Sequence, residues 1–242
     1  MPISAVLFDF HATLAQVEEP TEWVVKAAAA CGVDLATDEA TGLAKALVAA
    51  GRAGGPFPDA VPAHLADAWE RRDLSAQAHR AAYVGFAAGV GCDIAGLPTA
   101  LYERLLMPDG WRLYADVPPV LAALRGAGVK VAMVSNIGFD LRPIAAALGI
   151  ADLIDAYALS YEVGACKPAP EIFRAALDEL DVSPRDALMV GDTPADAGAA
   201  AIGCRCLILP PSPPDAVHGL AAVLDLAGIS GDLGNSGLVS EP

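Results

Sequence analysis

Basic residues are scarce. The 242-residue chain carries 15 Lys and Arg against 30 Asp and Glu, a formal net charge of −15, and its longest basic run is Arg71-Arg72. Nucleic-acid binding needs clustered positive charge, so no nucleic-acid partner is expected. An anionic substrate would need a local cation to offset the global field. Long apolar runs are missing too. Mean hydropathy is +0.44, yet the longest interior stretch without a charge, 81–92, has 12 residues, and a membrane span needs about 20. Alanine supplies the hydropathy, and no membrane association is expected. Cysteines are few and odd in number: Cys31, Cys92, Cys166, Cys204 and Cys206. They show no framework spacing, and no basic segment precedes the first apolar stretch. Reduced thiols in a cytoplasmic protein without a secretory signal are expected. Cys204-Arg205-Cys206 reads as small residues opening a strand rather than as a metal pair. Charged residues are only 19% and hydrophobic residues 55%, which excludes a disordered chain.

What is present changes texture along the chain. Ser4–Asp9 is a short apolar run ending on an acid, the pattern of a buried parallel strand. From about 18 to 107 apolar residues recur at helical spacing, predicting helices near 20–31, 38–50, 62–72, 76–89 and 98–106. Asp38 and Ser75 are candidate N-caps, and 51–58 is a Gly/Pro-rich loop. After Trp111 strands at 129–134, 156–159, 187–190 and 206–209 alternate with helices near 118–126, 140–148, 170–180, 194–201 and 215–227. Alternation of this kind builds a parallel sheet covered on both faces. Residues 1–16 and 108–227 therefore form an α/β core and 17–107 an inserted helical unit. Residues 228–242 are a Gly/Ser-rich tail, expected to be mobile.

Ligands of such sheets bind beyond the carboxyl ends of the strands. The polar residues falling there are Asp9, His11 and Thr13, then Ser135 and Asn136, then Asp192 and Asp196, with Lys167 on the way to the last strand end. Asp9 and Asp192 brought together repel and raise each other's pKa, and a hard divalent cation with oxygen ligands resolves this. Asp196, one helical turn on, is placed to hold a metal-bound water. Ser135 and nearby N–H groups suit phosphoryl oxygens, and Lys167 supplies positive charge.

Four stretches carry a resemblance: Asp9-Phe-His-Ala-Thr-Leu14; Val134-Ser-Asn136; Glu162 to Phe173 around Lys167-Pro168; and Met189-Val-Gly-Asp192-Thr-Pro-Ala-Asp196-Ala-Gly198. In this order, to about residue 227, the chain resembles a haloacid dehalogenase-like hydrolase of the branch with a helical cap after the first motif. The resemblance implies a Rossmann-like parallel sheet with an all-helical cap domain. It implies Asp9 as the nucleophile of an aspartyl-phosphate, with Thr13, Ser135 and Lys167 orienting nucleophile and phosphate. It also implies Mg²⁺ held by Asp9, the carbonyl of His11, Asp192 and Asp196. The expected activity is Mg²⁺-dependent hydrolysis of a small phosphorylated metabolite by a monomer or homodimer.

One residue departs from the pattern. The family's phosphatases usually carry a second Asp two residues after the nucleophile, where this chain has His11. On an extended chain His11 would face the same side as Asp9 and could replace that Asp as acid/base. The alternatives are a weakened phosphate-ester-binding protein or a metal-free dehalogenase; the retained acids at 192 and 196 favour the phosphatase. In the helical unit Arg52 and Arg72 are candidate substrate-binding residues, most simply read as solvated charges. Asn136 either touches substrate or bonds backbone. The His79, Tyr83 and Phe86 stripe reads as packing more than pocket, and Trp23 and Trp69 as cap core.

Overall fold

The computed structural model describes residues 2–213 and 216–229. Most of the expected tail lies outside the described residues. The chain runs β1 (Ala5–Phe8), β2 (Ala15–Val17), then helices α1 (Pro20–Ala30), α2 (Thr37–Gly51), α3 (Ala66–Glu70), α4 (Ala76–Gly89) and α5 (Leu97–Leu106). There follow β3 (Trp111–Leu113), α6 (Val117–Gly126), β4 (Lys130–Ser135), α7 (Arg142–Ala147), β5 (Ala156–Leu159), α8 (Ser160–Val163), α9 (Pro170–Leu180), β6 (Ala187–Gly191), β7 (Arg205–Ile208) and α10 (Ala221–Ala227).

Five strands form a parallel sheet in the order β5-β4-β1-β6-β7. β1 is central and apolar throughout, as a strand buried on both faces must be. Val6 and Phe8 pack with α6 residues such as Leu121 on one face, whereas Ala5 and Leu7 pack with Phe173 and Leu177 of α9 on the other. Phe8 pairs with both Met133 and Val190, so the carboxyl ends of β1, β4 and β6 are level. Three side chains at these ends are thereby brought within reach of one another.

β2 and β3 form a separate antiparallel pair, Val17 opposite Trp111. The α1–α5 segment hangs between them. Glu18, only 2% exposed, ties its two crossings together. Its carboxylate accepts from Arg104 Nε at 2.6 Å and Lys26 Nζ at 3.0 Å, and its N–H donates to the Gly110 carbonyl at 2.8 Å. At the other side the segment presses onto the loop after β4. A Cβ at Gly138 would collide with the Arg72 carbonyl and the His79 side chain, so only glycine allows this approach.

Several expected elements come out differently. The helix expected over 62–72 is broken into 3-10 turns around α3, and 194–201 is a 3-10 helix at Asp196–Ile202. The helix expected at 215–227 is confined to α10. The Asp116 carboxylate accepts the N–H groups of His218, Gly219 and Leu220 at 2.8–3.0 Å, which gives that backbone a non-helical alternative. Ser75 caps α4 through Ala78 N–H. Asp38 is not a cap, because α2 starts at Thr37 with Ala36 as its N-cap.

Candidate active site

Asp9 sits one residue past β1, with its N–H bonded to the Val190 carbonyl at 2.9 Å. The chain then turns instead of continuing extended. Leu14 and Ala15 both donate back to the Phe10 carbonyl at 2.9 Å, and Ala12 takes a left-handed φ of 61°, which costs about 1 kcal/mol. This corrects the expected extended geometry. His11 is turned toward the 51–55 loop, close to Gly54 and Val17 and 6.0 Å edge-on to Trp111. Burial, then the nearby Arg52 guanidinium, push its imidazole down to about 4. The ring is neutral at pH 7, and its Nε2 is buried without a hydrogen-bond partner among the described residues.

Lys167 is the hub. Its Nζ lies 2.7 Å from Asp9 Oδ1 and 2.6 Å from Asp196 Oδ1. Burial works against its charge, but the two carboxylates outweigh burial and its pKa is raised. Burial pushes the Asp9 carboxyl up, with the Lys167 ammonium opposing. Asn136 grips the Lys167 backbone from both sides, donating to its carbonyl at 3.0 Å and accepting its N–H at 2.7 Å. Of the two expected roles for Asn136 its hydrogen bonds follow the second, and it positions the lysine. Ser135, the buried last residue of β4, adds to the floor; Thr13 lies fully buried, its Oγ1 without a partner among the described residues.

Asp192, past β6, is pushed up to about 7 by burial and then by the charges of Asp9 and Asp196. One carboxylate oxygen from each of Asp9, Asp192 and Asp196 lies within 4.8 Å of the other two. Both Asp196 oxygens are engaged, Oδ1 by Lys167 and Oδ2 by the Thr193 N–H and hydroxyl at 3.0 and 2.7 Å. A side chain at Gly191 would strike that folded-back carboxylate. Three crowded acids with one ammonium between them fit a hard divalent cation of the Mg²⁺ type. Asp9 and Asp192 are the oxygen donors left for it, with Asp196 behind them.

Asp9, His11, Ser135, Asn136, Lys167 and Asp192 line a cavity of about 490 Å³ whose opposite wall comes from the helical segment: Arg52, Gly54, Phe57, Trp69, Arg72 and Tyr83. The arginines are not the solvated charges expected. Arg52 is 7% exposed, stacks 4.4 Å over Trp23 and donates to the Glu18 carbonyl at 2.6 Å. Arg72 lies 3.7 Å over Trp69 and donates to the Trp69 carbonyl. His79 and Phe86 are buried, as packing residues should be, while Tyr83 also faces the cavity. Trp23 joins a helical core cluster, whereas Trp69 is only partly buried and lines the cavity.

A family model of haloacid dehalogenase-like hydrolases matches residues 3–202. The chain belongs to this family. Haloacid dehalogenase-like hydrolase domain-containing protein 3 of Mus musculus is 36% identical over 109 residues, covering 41% of this chain and 43% of that protein. Phosphoserine phosphatase of Thermus thermophilus is 37% identical over 98 residues, 39% of each chain. These matches span under half the length of either relative. A solved dehalogenase superposes with a TM-score of 0.64 at 22% identity, over 93% of this chain and 96% of that one, a likeness of fold. Family membership accounts for the parallel sheet and for acids at successive strand ends. It leaves open what the helical wall recognises. Among the described residues no helix is long and apolar enough to cross a membrane.

Proposed function

We propose that the protein hydrolyses a small phosphomonoester with Mg²⁺ as cofactor, and that the 17–107 segment caps the site. The observation that carries this reading is Asp9, held by the Lys167 ammonium at 2.7 Å beside two further carboxylates at the floor of a cavity. A bound Mg²⁺ would neutralise the acids and lower the repulsion between a carboxylate and a phosphate.

An Asp9 oxygen attacks phosphorus, the ester oxygen leaves and takes a proton from water, and an aspartyl-phosphate forms; water then attacks phosphorus, the bond from phosphorus to Asp9 breaks, and phosphate leaves with Asp9 restored. Lys167 holds the Asp9 carboxylate in one orientation and adds positive charge where phosphoryl oxygens gather. The Ser135 hydroxyl is positioned to donate to one of those oxygens. A neutral His11 is suited to accept a proton from the attacking water, the base half of the expected acid/base role. Arg52 and Arg72 serve the cap wall.

Phosphate release from a panel of phosphorylated metabolites with Mg²⁺ tests this reading. Turnover is expected for wild type and is expected to fall at least about a hundredfold for Asp9→Asn. Binding of phosphate esters without turnover would leave a binding protein, and halide release without metal a dehalogenase.

A further inference from the structure

We propose that the ester accepted by this site carries a small planar, unsaturated ring beyond its phosphate, stacked on the face of Phe57; this rests on the phosphatase reading of the Asp9 site. At about 490 Å³ the cavity is of the size that holds a whole small molecule, so the phosphoryl group at the Asp9 floor leaves most of it to fill. The wall facing that floor is aromatic. Trp69 stands edge-on to Phe57 at 5.9 Å, to Tyr83 at 6.1 Å and to Phe86 at 5.4 Å, and the Arg72 guanidinium covers one Trp69 face at 3.7 Å. Tyr83 is backed by His79 at 4.7 Å.

Phe57 differs from these rings. It lines the same cavity yet is 78% exposed, although apolar area in water is unfavourable in proportion to its extent. Its flanks, Pro56 and Pro58, fix their own φ and bias the residues before them to extended backbone. These flanks stiffen the backbone that carries the ring, and covering its exposed face with a ligand would remove apolar area from water. The Arg72 guanidinium carbon lies 5.7 Å from the Phe57 centroid, and that positive charge beside the ring favours an electron-rich partner. A saturated group of equal size would cover the same area but could not offer a flat face.

The test uses two esters that leave as primary alkoxides and differ in the ring alone, benzyl phosphate and cyclohexylmethyl phosphate. Wild type is expected to favour the benzyl ester by about tenfold in kcat/KM, the size of one good ring stack. Phe57→Leu, which keeps apolar bulk without the face, is expected to bring the two within about twofold. A second arm needs no turnover. Calorimetric affinities of benzylphosphonate and cyclohexylmethylphosphonate, measured with Mg²⁺ present, are expected to show the same preference and the same loss. Esters left intact while benzylphosphonate binds about tenfold tighter would end the phosphatase reading and support the ring subsite. Equal affinities, or a preference that survives Phe57→Leu, overturn the ring subsite, and failure to bind either phosphonate overturns both.

Discussion

Lys167 carries its charge to a place that is 6% exposed, held between two carboxylates. Lys167→Met should leave Asp9 and Asp196 facing each other uncompensated. Breaking a buried pair from one side costs about 3–5 kcal/mol, so urea unfolding at pH 7 should show a loss of that order together with no measurable phosphate release. The sign with pH is definite. Asp9 is already pushed up by burial, and without the ammonium its folded form binds protons more readily than the unfolded chain does. The deficit of the variant should therefore shrink as pH falls from 7 toward 4; a deficit independent of pH would refute the account. Asp9 and Asp192 are legible in the sequence, because each follows an apolar strand whose topology fixes its neighbours. Their partners are not. Arg52 looks solvated until Trp23 and the Glu18 carbonyl are brought to it, and Asn136 finds the Lys167 backbone 31 residues away.

Among the elements, α4 shows how one helix face stores a pH dependence. His79 is 3% exposed, 3.0 Å from the Tyr102 hydroxyl through Nδ1 and 5.4 Å from the Phe139 ring. Burial, then Arg72, hold its imidazole down to about 3. Its folded pKa lies below the unfolded value near 6.5, so the unfolded state takes up the proton first. Stability is fully present above about 6.5 and is lost as pH falls toward 3. Between pH 7 and 5 this residue alone should cost wild type about 2 kcal/mol. His79→Phe should show a correspondingly shallower loss in denaturation curves at the two pH values. Elements with a strong period are read from sequence to the residue, as for 76–89 and 170–180, whose buried positions recur every three or four residues. The β2–β3 pair is not legible, because three-residue strands carry no period and their partners are nearly a hundred residues apart. The 3-10 helix at Asp196–Ile202 cannot be told from an ordinary helix by sequence, because alanine suits both.

For the whole molecule, two contacts fix how the helical segment sits on the sheet: Glu18 at the crossings and the Gly138 loop opposite. Glu18→Ala should take two hydrogen bonds from the Arg104 guanidinium, which keeps Asp109 as a partner, and cost about 1–3 kcal/mol. Hydrogen exchange should then quicken in the amides of α1–α5 while those of β1, β4 and β6 hold their protection. Equal quickening in both regions would mean that Glu18 supports the fold as a whole. The pairing of Val17 with Trp111 reaches further. To the strands below, everything from 18 to 110 is the tip of one hairpin, and the entropy of closing a loop grows only logarithmically with its length. A tip of two residues or of a hundred leaves the registry beneath it the same, so the helical segment can be exchanged, with the Glu18 and Gly138 contacts kept, without disturbing the strand ends that carry Asp9 and Asp192.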